Sequence, residues 1–280
     1  LKPIIKWAGG KYKLSKELET FLPKEVQETK KIKRYIEPFF GGGGFFFYLH
    51  NYYDIEENVI IDKNEKLINL YKQVSENLNG FLNALDVIEE AFLSTVDKKT
   101  FYYSIREKFN CSSLGIQQAV FFMFLNKTCF NGLYRENSSG GFNVPFGSYK
   151  TYNFYDLENI TKVSKLFKFS NIICGNFYDI EIQEGDLFYL DPPYIPLNKT
   201  SNFTSYTKEG FGKDFNSLLL NFMNEIDKNN ARFILSNSYS EETLEMYKKY
   251  NISYIQASRS INSNSEKRNK IKEIVVRNYK

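Results

Sequence analysis

Four consecutive glycines, Gly41-Gly42-Gly43-Gly44, stand between Arg34-Tyr35-Ile36-Glu37-Pro38-Phe39-Phe40 and an aromatic run from Phe45 to Tyr48. A strand, a glycine loop and an apolar helix start, in that order, describe the first βα turn of an open α/β sheet, where ligands sit outside the carboxyl ends of the strands. The spacing departs from Gly-x-Gly-x-x-Gly because Phe46 takes the last glycine position. A nicotinamide dehydrogenase is therefore disfavoured, although the glycines still permit close approach of a ligand. Next comes Asn58-Val59-Ile60-Ile61-Asp62, read as a second strand ending in an acid. An acid about 20 residues past the glycines commonly receives ribose hydroxyls. A helix cap is the plainer use for such an Asp, and Asn64 also suits that role.

A second strand end carries the chemistry. The apolar run Leu187 to Leu190 leads into Asp191-Pro192-Pro193-Tyr194. Neither proline can donate a ladder hydrogen bond, so pairing is expected to stop there and leave Asp191 at a strand's carboxyl end. The product is a stiff turn presenting a carboxylate, a carbonyl and an aromatic face to one small volume. Taken alone, it also fits a simple Pro-Pro turn with a solvated Asp.

Composition narrows the class. With 280 residues and 42% hydrophobic content the chain can bury one large core or two smaller ones. No run approaches the roughly 20 apolar residues of a membrane span, and the basic start from Leu1 to Lys13 lacks an apolar signal region, so a cytoplasmic protein is expected. Cys111, Cys129 and Cys174 are scattered without metal-ligand spacing and His50 is the sole histidine, which argues against a metal site or a His-dependent triad. Net charge is only +4, but basic residues gather at both ends: ten Lys or Arg against four Glu in 1–34, and seven against two in 259–280. Such clusters suit phosphate binding, a solvated basic face being the commoner explanation for any one of them.

Between these strands the grammar changes. Leu67, Leu70, Tyr71 and Val74 share a helical face, as do Tyr102, Ile105 and Phe109, while 119–125 reads as a buried helix. This predicts an inserted, mainly helical domain over 65–165 within a sheet domain formed by 1–64 and 166–280. The insert ends in the non-periodic segments Asn126 to Arg135 and Gly140 to Gly147, read either as a hairpin that contacts a partner or as an aromatic-packed connection. Strands resume at Ile172 to Phe177, Arg232 to Asn237, Ile252 to Gln256 and Ile271 to Arg277, with a helix over 214–226. A polar loop with interleaved aromatics, 198–212, has the composition of a substrate-covering loop. The basic tip 262–270, with Arg259, Lys267 and Arg268, is a candidate phosphate clamp. Lys6-Trp7-Ala8-Gly9-Gly10-Lys11 reads first as a turn before a helix, or as a ligand loop with Trp7 as platform and Lys11 as cation.

In this order the pieces resemble the Dam-type DNA adenine-N6 methyltransferases of the alpha arrangement. Lys6 to Lys11 is similar to the family's Lys-Trp-x-Gly-Gly-Lys, Glu37 to Gly44 to its cofactor motif, and Asp191 to Tyr194 to its catalytic Asp-Pro-Pro-Tyr. Asn131-Gly132-Leu133-Tyr134-Arg135 and Phe142 to Gly147 match its recognition insert. The resemblance implies a Rossmann-like sheet binding S-adenosylmethionine through Trp7, Lys11, Glu37, Pro38, Phe39, Gly41, Gly43, Asp62, Asn176, Phe177 and Asp191. It implies catalysis by Asp191, Pro192, Pro193 and Tyr194, with a flipped adenine and no metal. Double-stranded DNA is the implied partner of a monomer, contacted by Lys11, Phe130, Asn131, Leu133, Arg135, Asn143 and Pro145. Arg135 corresponds to the arginine that reads guanine in GATC, a contact worth about 1 to 3 kcal/mol of discrimination. Tyr194 stacking on the base would add about 1 to 3 kcal/mol.

Two departures stand out. Asn176 replaces the usual acid of Gly-Asp-Phe, keeping an acceptor oxygen without the charge. Ser148 stands where many relatives carry arginine. Competing expectations are a methyltransferase acting on cytosine N4, RNA or a protein amide, opposed by Asp at 191, and a sequence-specific DNA-binding module with impaired catalysis, for which Asn176 speaks.

Overall fold

A computed structural model of the chain describes residues 1–193, 213–258 and 270–280. Tyr194, the 198–212 loop and the tip bearing Arg259, Lys267 and Arg268 lie outside the described residues. After a short 3-10 turn (Tyr12–Leu14) come α1 (Ser15–Glu19), α2 (Lys24–Thr29), β1 (Lys31–Glu37), α3 (Gly44–Leu49) and β2 (Asp54–Asp62). Then follow α4 (Glu65–Glu76), α5 (Leu78–Ser94), α6 (Lys98–Cys111), α7 (Ile116–Thr128) and α8 (Leu157–Lys168). The remainder is β3 (Ser170–Cys174), β4 (Leu187–Leu190), α9 (Lys213–Lys228), β5 (Arg232–Ser238), α10 (Glu241–Met246), β6 (Asn251–Ser258) and β7 (Lys270–Arg277).

The strands form one seven-stranded sheet in the order β3-β2-β1-β4-β5-β7-β6. Strands β1 to β5 run parallel, and β7 inserts antiparallel between β5 and β6. The order reverses between β1 and β4, and at such a switch point the loops leaving the two strands diverge to open a crevice. The loop leaving β1 is the glycine run, and the loop leaving β4 begins at Asp191.

Alternation along the strands separates two cores. Tyr35, Ile60, Leu187, Tyr189 and Ile234 face one side, and Ile36, Val59, Ile61, Phe188, Leu190, Phe233 and Leu235 the other. The second side is covered by α9 through Leu219, Phe222, Met223 and Ile226. The first side packs on α3 and α4, and its cluster continues without a break through Phe81, Phe92, Tyr102 and Phe109 into α7. α7 is buried all round, from Gln118 to Asn126, so it forms the axis of the helical region between β2 and β3. That region shares its core with the sheet rather than building its own. Among the described residues no helix is long and apolar enough to cross a membrane.

Candidate active site

β4 pairs with β5 up to Leu190↔Leu235, and the ladder ends where Pro192 and Pro193 remove the donors. Asp191 therefore emerges at the mouth of the crevice. Lys11 Nζ meets it there, 2.7 Å from Oδ1 and 3.0 Å from Oδ2, and also donates to the Gly9 carbonyl at 3.2 Å. The pair is little hydrated, with side-chain exposures of 4% for Lys11 and 20% for Asp191. Gly9-Gly10 is an ordinary turn, Gly10 N–H donating to the Trp7 carbonyl, and it is this turn that delivers Lys11 to the acid. Ser236, on β5, donates to Asp191 Oδ1 at 2.9 Å, and the Tyr189 hydroxyl lies 2.8 Å from Ser236 Oγ.

Behind them sits Glu37, at the end of β1. Its Oε2 accepts from the Tyr35 hydroxyl at 2.8 Å. Burial drives this carboxyl well above the usual carboxylate range; the Tyr35 bond opposes the shift and the neighbouring negative charge of Asp191 adds to it. Pro38 follows, buried, and Phe39 packs against Phe177 with ring centroids 5.1 Å apart. Phe177 itself is in the second core, against Phe215 and Phe222.

The glycine loop is gripped on three sides. Asp62 Oδ2 accepts from Gly41 N–H at 2.8 Å while Oδ1 accepts from Asn64 N–H at 2.9 Å. Burial raises the Asp62 carboxyl, and these backbone donors hold it back. The Tyr71 hydroxyl, from α4, bonds the Gly41 carbonyl. The third side is Trp7. A Cβ on Gly41, whose φ is +48°, would lie 2.6 Å from Trp7 Cδ1 and Nε1. The close approach expected of a ligand is thus made, at Gly41, by the chain's own indole. Gly43 also takes a left-handed φ, +64°. Asn64, not Asp62, caps α4, its side chain accepting from Leu67 N–H.

Asn176 follows the β3 strand. Its Nδ2 donates to Asp179 Oδ2 at 2.9 Å and its backbone N–H to the same oxygen at 3.2 Å. A carboxylate only accepts, so the amide's amino end must face Asp179 and its Oδ1 must turn the other way.

The segment 129–147 folds as a small irregular hairpin with antiparallel bridges Cys129↔Phe146 and Glu136↔Phe142. Phe130 is 45% exposed, and its N–H donates to the Pro145 carbonyl. Asn131 has φ +55°, Leu133 is half-buried, and Arg135 is exposed. Arg135 Nε donates to Asn143 Oδ1 at 2.6 Å, which extends the guanidinium along the hairpin. Next to it Tyr134 turns inward and stacks on Trp7, centroids 5.6 Å apart at 25°, and on Phe122. Asn126 clasps Lys6, accepting from its N–H and donating to its carbonyl. Hairpin and glycine loop therefore share Trp7 as a common wall. In the sequence Tyr71 stands out only as part of a helical face and Tyr134 only within the recognition motif, and neither Ser236 nor Tyr189 is given a site role.

A mainly parallel sheet of this order, with a glycine loop after β1 and an acid-Pro-Pro turn after β4, is a Rossmann-like α/β architecture with its candidate site at the switch point. The chain belongs to the D12 class N6 adenine-specific DNA methyltransferases, which its residues 7–261 match. It is 42% identical over 290 residues to the type II methyltransferase M.MjaIII of Methanocaldococcus jannaschii, covering 100% of this chain and 99% of that one. To the type II methyltransferase M1.LlaDCHI of Lactococcus lactis subsp. cremoris it is 36% identical, covering 100% and 96%. To the DNA adenine methylase of Escherichia coli (strain K12) it is 31% identical, covering 98% and 94%.

Proposed function

We propose that this chain transfers a methyl group from S-adenosylmethionine to N6 of an adenine flipped out of duplex DNA, within GATC. The Lys11–Asp191 pair at the switch-point crevice carries the reading. The groups around it fit the cofactor's chemistry: a buried cation in Lys11 for a carboxylate, carboxyls in Glu37 and Asp62 for ammonium and hydroxyl groups, an amide in Asn176 and apolar rings in Phe39 and Phe177 for an adenine. When bound, S-adenosylmethionine supplies the electrophilic sulfonium methyl.

The chain's own part is to prepare and hold the nucleophile. An adenine amino nitrogen has its lone pair delocalised into the ring. Hydrogen bonds from its two protons to the Asp191 carboxylate and the Pro192 carbonyl would draw it toward tetrahedral geometry and localise that pair. The nitrogen so prepared would take up the sulfonium methyl, the S–C electron pair staying on the departing thioether, and its surplus proton would pass to solvent. Positioning and electrostatics do most of this. Tyr194 would stack on the base. Residues 1–64 and 166–280 would supply this catalytic part, and 65–165 the recognition part, with Phe130 and Leu133 at the opened site, Asn131, Asn143 and Pro145 beside them, and Arg135 on guanine. Arg259, Lys267 and Arg268 would hold phosphates.

Incubation of the protein with methyl-tritiated cofactor and duplex DNA, followed by sequencing-based mapping of N6-methyladenine, tests the whole reading. Label in adenine at GATC is expected. Specific binding without incorporation would favour the DNA-binding module, and label in cytosine or RNA would favour a different acceptor.

A further inference from the structure

Lys11 is not the sole group holding Asp191. Ser236 lies one residue past the last β4–β5 pair, Leu190↔Leu235, which sets it beside Asp191, and it is fully buried. Its hydroxyl sits 2.9 Å from Asp191 Oδ1 and 2.8 Å from the Tyr189 hydroxyl. An ionised carboxylate can only accept, so the Ser236 proton points at Asp191 and the Tyr189 proton at Ser236, a chain whose members polarise one another. The two carboxylate oxygens are left unequal. Oδ1 receives Ser236 and the shorter Lys11 contact at 2.7 Å, whereas Oδ2 receives Lys11 at 3.0 Å.

We propose that Ser236, oriented by Tyr189, is a positioning residue that fixes the rotation of the Asp191 carboxylate and thereby presents Oδ2 to the amino group of the substrate. The inference rests on the reading of Asp191 as acceptor of an amino proton. The terminal torsion of an Asp is broad and roughly two-fold, so the carboxylate needs an external reference to hold one angle. Lys11, a point cation with rotatable donors, follows the carboxylate rather than aiming it. Ser236 is anchored in the middle of the sheet and supplies that reference.

Single-turnover methyl transfer, with separately measured dissociation constants for DNA and cofactor, reads the effect. Ser236→Ala is expected to slow the transfer step roughly 30-fold, since small misplacements of a reacting group are costly, with both dissociation constants within about threefold of wild type. Tyr189→Phe is expected to slow it about fivefold alone and to add nothing in the Ser236→Ala background, because Tyr189 acts through Ser236. An unchanged rate in Ser236→Ala, a loss that follows weakened binding, or a full additional factor in the double variant would overturn the proposal. If Ser236→Ala does not fold, Tyr189→Phe decides: a slower transfer step with intact binding supports the proposal and a wild-type rate overturns it. Absence of transfer by the wild-type protein would instead refute the methyltransferase reading itself, so the two failures are distinct.

Discussion

Lys11 and Asp191, 180 positions apart in the chain, close a bidentate ion pair across the mouth of the crevice. Each leaves a nearly dry charge if the other is removed. Lys11→Met is expected to destabilise the fold by about 3 kcal/mol, the lower end for a broken buried pair because Ser236 still donates to Asp191. Asp191→Ala strands the more deeply buried Lys11, so a stability loss of about 3 kcal/mol is expected there too, with methyl transfer abolished in the protein that stays folded. Urea unfolding and labelled-methyl incorporation on the same preparations check both, and near-wild-type turnover in Asp191→Ala would refute the mechanism.

Arg135 projects from the hairpin with Asn143 aligning its guanidinium. Arg135→Ala is expected to relax discrimination at the guanine position by about 1 to 3 kcal/mol, read as the ratio of methylation rates on GATC and single-substituted sites. Unchanged site preference would remove Arg135 from the recognition set.

Asn176 answers to Asp179, and this makes its replacement by the acid of the related motif a poor exchange. Asn176→Asp would set two carboxylates about 3 Å apart, a geometry that keeps one of them from ionising readily. Cofactor affinity at pH 7 is expected to stay level or fall in Asn176→Asp and to recover in Asn176→Asp with Asp179→Asn. Calorimetric titration with the cofactor separates these outcomes, and a tighter single variant would show that Asp179 does not govern the site.

His50 supplies a pH signature independent of catalysis. Burial presses its ring down to about 4 from an ordinary 6.5, with the Asn58 contact opposing. Above 6.5 neither state is protonated and the stability is fully present. As pH falls from about 6.5 toward 4, the unfolded chain takes up a proton that the folded site refuses, and stability drops by about 1.4 kcal/mol per pH unit. The buried carboxyls Glu37 and Asp62, whose folded values are raised, act in the opposite sense. They are common to wild type and His50→Gln, so the difference between the two proteins isolates the histidine. Between pH 7 and pH 5 the wild type is expected to lose roughly 2 kcal/mol more than His50→Gln. Superimposable stability curves would assign the acid lability to another group.

Local chemistry was the legible part of this molecule. The prolines after Leu190 announced the end of β4 and hence the place of Asp191. The faces Leu67-Leu70-Tyr71-Val74 and Tyr102-Ile105-Phe109, and the apolar run 119–125, all proved buried in helices. Relationships between distant residues were not legible. Nothing in the order of residues says that β5 lies beside β4, which is what brings Ser236 to Asp191. Nor does spacing disclose that β7 inserts between β5 and β6, or that Gly41 meets an indole from residue 7. Those facts follow from sheet order and packing, which depend on contacts made across the whole chain.

Trp7 lies between Gly41 and the ring of Tyr134, one position from Arg135, while Asn126 clasps the preceding Lys6. A transplant of residues 65–165 into a relative would therefore separate the Trp7–Tyr134 stack and the Lys6–Asn126 pair of hydrogen bonds unless Lys6 and Trp7 moved with it. If the helical region does read the DNA site, the smallest cassette for reprogramming it would be discontinuous: that region together with Lys6 and Trp7.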